Sequence, residues 1–125
     1  MIALDASALL AFLFREEGHE AVATHLDEGL LSTVNLSEVL GRFARDGHDA
    51  FAVLDRLERG PIEIVPFGVS DAARAAALVP HTAHLGLSLG DRACLALAQS
   101  RGIRAMTADR TWADLDVGVE TVVIR

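Results

Sequence analysis

Five short apolar runs, Ile2–Leu4, Leu30–Ser32, Ile62–Phe67, Ile103–Thr107 and Val119–Ile124, are separated by stretches of helical character. That alternation narrows the possible folds sharply, because strands joined through helices pair mostly in parallel. The expectation is an α/β sandwich with a mostly parallel central sheet. The runs do not reveal the order of strands in that sheet. No linker or repeat divides residues 1–125, so one domain is expected, long enough to bury a core without disulfides.

The intervening segments carry recognisable helix signals. Ser7–Phe14 is apolar on nearly every side and needs more than one surface to cover it. Gly18–Leu26 is a second helical stretch. Thr33 is a plausible N-cap for a helix that runs to about Arg45 and is closed by Gly47. Asp49–Leu57 places Phe51, Leu54 and Leu57 on an amphipathic helix ended by Gly60-Pro61. Ser70-Asp71 can cap a helix over Ala72–Leu78 that stops at Pro80, with a loop to Leu87. Ser88–Asp91 opens a helix to Arg101, and Gly102 ends it.

Four acids, Asp5, Glu38, Asp91 and Asp109, sit at ends of strand-like runs or near starts of helices. Each has an ordinary structural explanation. Asp5 can cap the first helix, Asp91 can complete a capping box with Ser88, Glu38 can be a solvated helix residue, and Asp109 can shape a turn. Their joint placement suggests more, because ligands of open α/β sheets bind beyond the carboxyl ends of the strands. Carboxylates gathered there repel unless a cation intervenes. Oxygen-only ligands suit Mg²⁺ or Mn²⁺, and phosphodiester hydrolysis is the natural use of such a centre.

Composition removes several rivals. All eleven basic residues are arginine, which excludes Walker-type phosphate loops and Schiff-base chemistry. A formal charge of -7 argues against a general polyanion binder but leaves room for a local basic rim. The single Cys94 lies in the apolar stretch Ala93–Ala98 and is expected to be a packed thiol. No run approaches a membrane span and no basic region precedes the first apolar stretch, so a cytoplasmic location is expected.

Four stretches, Asp5-Ala6-Ser7-Ala8-Leu9, Asn35-Leu36-Ser37-Glu38-Val39, Leu89-Gly90-Asp91-Arg92-Ala93-Cys94-Leu95-Ala96-Leu97-Ala98 and Thr107-Ala108-Asp109-Arg110-Thr111-Trp112, resemble those of PIN-domain ribonucleases. The likeness is greatest to the VapC-type toxins of bacterial toxin-antitoxin pairs and covers almost the whole chain. The resemblance implies a three-layer α/β/α sandwich, Mg²⁺- or Mn²⁺-dependent endonucleolytic cleavage of RNA, a homodimer, and inhibition by a small VapB-like antitoxin. Carried over by position, Asp5, Glu38, Asp91 and Asp109 become the catalytic, metal-binding quartet. Ser7, Asn35 and Thr107 are secondary polar candidates that either orient an acid or serve as caps and turn residues. Arg92 and Arg110 are candidates for RNA-phosphate contacts or for ion pairs with the neighbouring acids. Asp114 and Asp116 fit a solvated loop better than an outer ring of the site.

Other signals carry less weight. Gly86-Leu87-Ser88-Leu89-Gly90 matches the GxSxG pattern of serine hydrolases, but no strand-like segment precedes it and no histidine follows it. His81 and His84 lack a cysteine or a helical motif nearby for zinc. Trp112 is expected in the core. Haloacid-dehalogenase-like phosphatases and response-regulator receivers need acids or a lysine that this chain lacks. A non-enzymatic alternative stays open, in which the acidic pocket accepts an arginine from a partner protein. The apolar residues Phe12, Leu13 and Phe14 of the first helix suit a protein interface under either reading.

Overall fold

A computed structural model describes residues 1–125. The five strands are β1 (Ile2–Leu4), β2 (Gly29–Ser32), β3 (Glu63–Val65), β4 (Arg104–Thr107) and β5 (Thr121–Val123). They form one sheet in the order β3-β2-β1-β4-β5 with every pairing parallel. Seven helices accompany them: α1 (Ala6–Leu13), α2 (His19–Ala23), α3 (Thr33–Arg45), α4 (Ala50–Arg59), α5 (Val69–Ala77), α6 (Val79–Thr82) and α7 (Leu89–Arg101). The expected α/β/α architecture is present, with a wholly parallel sheet.

Side-chain alternation along the strands divides the core in two. Ile2, Leu4, Leu31 and Met106 point to the layer containing α1, α2 and α3, whereas Ala3, Leu30 and Ala105 meet α5, α7 and the fully buried Trp112. The apolar α1 is covered by the sheet, α2 and α3 together. Cys94 is a buried thiol in the α7 layer, as expected for a packing residue.

The strand order has one consequence for function. The chain moves outward from β1 through β2 to β3 on one side, then returns to place β4 on the other side of β1. The chain leaves β1 toward β2 and β4 toward β5, in opposite directions across the sheet, which marks a switch point at the carboxyl edge between β1 and β4.

Several local expectations need correction. Ser32, not Thr33, caps α3: its Oγ accepts from the Val34 amide, while Thr33 Oγ1 accepts from the Phe67 amide and ties the helix start to the exit of β3. Helix α5 begins two residues before Asp71, whose carboxylate accepts from the Gly68 amide instead of standing outside the helix. Pro80 starts a second short helix, because proline fits the first turn where no amide donor is needed. His81 and His84 thus lie on exposed helical turns. The stretch expected as one helix over Gly18–Leu26 divides into α2 and a 3₁₀ turn at Leu26–Glu28. Phe51 is 82% exposed although Leu54 and Leu57 pack inward. A three-residue step falls roughly 60° short of a full turn, so two steps swing Phe51 off the apolar face.

Gly18 and Gly47 both adopt left-handed backbone, with φ of 93° and 91°. They differ in surroundings, since a Cβ on Gly18 would lie 2.5 Å from the Ile124 carbonyl oxygen and one on Gly47 would meet nothing within 4 Å. Gly47→Ala should therefore cost about 1 kcal/mol of backbone strain, and Gly18→Ala roughly 2–3 kcal/mol, because a clash adds to the same strain. Urea unfolding of the two variants measures the difference.

Candidate active site

The site is assembled around Asp5, where β1 ends and α1 begins. Its side chain is 3% exposed, yet three donors hold the carboxylate. Ser7 Oγ and the Ala8 amide donate to Oδ1 at 2.7 and 2.8 Å, and Thr107 Oγ1 donates to Oδ2 at 2.6 Å. The two hydroxyls are oriented from behind. Ser7 Oγ accepts from the Ala108 amide at 2.9 Å, and Thr107 Oγ1 accepts from the Asp109 amide at 3.0 Å. With an acceptor lone pair engaged by backbone, each hydroxyl turns its own proton toward Asp5. The backbone leaving β4 thereby sets the position of the acid leaving β1.

Burial pushes the Asp5 carboxyl up from 3.8 to about 6. The hydrogen bonds from Thr107, Ala8 and Ser7 pull against that shift, and the negative charge of Asp91 adds to it. The same congestion reaches Cys94, whose thiol is held well above its usual range by burial first and then by the charges of Asp5, Asp91 and Glu38. A thiol kept protonated in this way is no nucleophile.

Glu38 arrives from the second turn of α3. Its Oε1 accepts from Asn35 Nδ2 at 3.0 Å, and the same amide nitrogen donates to the Gly90 carbonyl at 2.9 Å. Asn35 is 1% exposed, and its Oδ1 has no partner. The Glu38 carboxylate lies against the Cα of Gly90, so closely that a Cβ there would sit 2.5 Å from its Cδ. Asp91 and Asp109 complete the set while serving as caps. Asp91 Oδ2 accepts from the Ser88 amide at 2.9 Å in a capping box, and Asp109 Oδ1 accepts from the amide and hydroxyl of Thr111 at 2.9 and 2.8 Å.

Asp5, Glu38, Asp91 and Asp109 all line one cavity of about 470 Å³, together with Ser7, Arg42 and Arg45. Asn35 and Thr107 stand behind that lining and touch it through the acids they hold. As placed, no three acidic side chains converge closely enough to hold an ion. The acids expected as a tight cluster line the cavity as an open ring, and Asp5, Asp91 and Asp109 each accept from a local backbone amide. A larger hollow of about 580 Å³ lies along α5, lined by Ser70, Arg74, His81 and Gln99 among others. It contains no acid and so lacks the chemistry of a cation site.

Of the arginines near the acids in sequence or in space, two line the cavity. Arg92 Nη1 donates to the Ala75 carbonyl of α5, and Arg110 Nε donates to the Arg125 carbonyl; neither lines the cavity. Arg42 and Arg45 of α3 take that place. Arg42 pairs with Asp46 at 3.1 Å and lies over the Phe14 ring at 4.7 Å, while Arg45 is exposed. Their positions were available in the sequence, because residues four and seven beyond Glu38 share its helix face. Asp114 and Asp116 are exposed and stand off the cavity, and Trp112 is fully buried.

A family model for the PIN domain matches residues 2–118, and the chain belongs to that family. No curated protein sequence matches it. Among solved structures, a toxin-antitoxin complex from Klebsiella pneumoniae is similar with a TM-score of 0.72 at 20% identity, covering 100% of this chain and 98% of that one. A sarcin-ricin loop cleaving VapC toxin of Mycobacterium tuberculosis gives a TM-score of 0.73 at 16% identity, covering 96% and 99%. FitAcB of Neisseria gonorrhoeae gives 0.69 at 22% identity, covering 97% and 96%. These likenesses are likenesses of fold.

The raised Asp5 carboxyl carries a pH signature. Between pH 3.8 and about 6 the folded chain holds a proton that the unfolded chain has released, so stability falls as pH rises through that window. In metal-free protein, wild type should lose roughly 3 kcal/mol relative to Asp5→Asn across it. Parallel denaturation curves at pH 4 and pH 7 test this; equal pH dependence in the two proteins would contradict it.

Proposed function

We propose that this PIN-domain chain is a divalent-metal-dependent endoribonuclease toxin of VapC type, using Mg²⁺ or Mn²⁺. We further propose that it works as a cytoplasmic homodimer and is neutralised by a VapB-like antitoxin. The observation that carries this reading is the cavity at the carboxyl edge of β1 and β4, which four carboxylates from separate segments line. The toxin-antitoxin complex and the toxin whose folds resemble this one support the same class.

The donor set fits a hard cation. It is all oxygen, it includes a buried carboxylate that is half-ionised at about pH 6, and Gly90 leaves open space where Glu38 rests. Asp5, Glu38, Asp91 and Asp109 would hold the ion, which when bound supplies an activated water and neutralises phosphate charge. Ser7 and Thr107 orient Asp5, and Asn35 orients Glu38. Arg42 and Arg45 line the same cavity and would receive substrate phosphates there. For the antitoxin we assign the apolar crevice of about 190 Å³ between α1 and α4, lined by Leu9, Phe12, Leu13, Leu26, Leu57 and Ile62. That assignment uses the apolar side chains of α1 that the sheet does not cover. No helix of the chain is long and apolar enough to cross a membrane.

Asp5→Asn and Asp91→Asn should each lower RNA cleavage by about 100-fold or more while the proteins stay folded. Mn²⁺ should raise the melting temperature of wild type and raise that of Asp5→Asn less, since the ion binds the folded site alone. Cleavage by a pure Asp91→Asn preparation at the wild-type rate would reject the mechanism. Absence of cleavage at any metal concentration, with tight binding of an arginine-bearing partner, would select the binding-module reading instead. Replacing Arg42 and Arg45 together by Gln should reduce the slope of log affinity against log salt by roughly 0.7 per lost phosphate contact on single-stranded RNA. An inactive Asp5→Asn protein keeps that measurement free of turnover.

A further inference from the structure

We infer that Gly90 is a positioning residue: the side chain missing from the first turn of α7 is the seat on which Glu38 of α3 rests, and Asn35 locks that seat. Glycine is a poor choice within a helix, so its presence needs a reason. Backbone conformation is not the reason, because Gly90 is helical and does not adopt positive φ. Space is the reason. The three atoms nearest to a Cβ built at this position all belong to the Glu38 carboxyl group, with Cδ and Oε2 both at 2.5 Å.

Asn35 closes the arrangement from below. Its Nδ2 has two protons, and both are used, one on Glu38 Oε1 and one on the Gly90 carbonyl. This pair of acceptors fixes which way the amide faces, and it leaves Oδ1 buried without a partner. A buried orphan acceptor disfavours the fold, so the amide is retained here for what its nitrogen holds. The clamp links the start of α3 to the start of α7, and it sets the Glu38 carboxylate into the cavity wall beside Asp91. The consequence for metal binding rests on the function proposed above. The seat itself does not.

The clashing group is the end of one flexible side chain, so Gly90→Ala should leave the fold intact and improve the helix, while Glu38 is expelled. In metal-free protein its melting temperature should equal or exceed that of wild type. The Asn35 side-chain amide resonances should move, because one of their two acceptors has left. Mn²⁺ affinity, read from the metal-induced rise in melting temperature, should fall about 10- to 100-fold, to the level of Glu38→Gln. The double variant Gly90→Ala/Glu38→Gln should fall no further. Gly90→Ala/Glu38→Asp should regain part of the response, since a carboxylate shorter by one methylene clears the added methyl group.

Unchanged Asn35 resonances in Gly90→Ala would overturn the seat whatever the metal does. Loss of a cooperative melt in that variant would overturn it too, because displacement of one side chain does not unfold a domain. Should wild type itself show no response to Mn²⁺, the metal reading fails and the resonances alone decide the seat.

Discussion

The site depends on one costly placement, the carboxylate of Asp5 buried between β1 and β4. An acid removed from water is tolerable only if donors replace the water, and here three donors do so. Two of these are hydroxyls whose orientation comes from amides at the end of β4. The arrangement therefore requires β1 and β4 to be neighbours, aligned in parallel so that both end at one edge. The register that pairs Leu4 with Met106 and the bond from the Asp5 amide to the Met106 carbonyl supply that alignment. A shift of one residue would turn Thr107 to the other face and leave Asp5 without its strongest donor.

Much of this was legible before any coordinates. The apolar runs located all five strands, and the helix openings expected at Ser88 and Asp49 fell within a residue of the observed starts. The structural and chemical explanations of the acids proved compatible: Asp5, Asp91 and Asp109 each cap a helix or turn while lining the cavity. A short acid at a helix start is anchored by backbone amides, and helix starts in a parallel sheet gather at the carboxyl edge. The same residue types at the same positions satisfy both demands.

What escaped sequence reasoning was lateral. Strand order is set by which side of β1 the chain returns to, and no local pattern encodes it. Arg92 and Arg110 drew attention because they adjoin acids in sequence, yet the next residue on a helix points about 100° away. Arg42 and Arg45 stand far in sequence from Asp5, Asp91 and Asp109, yet they line the same cavity. Asn35 shows the same limit. Its spacing to Glu38 was visible, but its second bond crosses fifty-five residues to Gly90, and only folding brings α3 and α7 together there.

Electrostatics joins these parts into one argument. A chain of net charge -7 has no general attraction for RNA, and the cavity concentrates negative charge where a phosphodiester would have to enter. Within that cavity Asp91 and Asp109 accept from backbone donors, and burial holds the Asp5 carboxyl above its usual range. A dication held there would favour the ionised form of every carboxylate it met. On the function proposed above, the arginine pair on α3 would then face a pocket whose charge no longer repels phosphate. Under that proposal, affinity for nucleic acid and affinity for metal would be one linked property, carried by the two guanidinium groups and four acids that line the cavity.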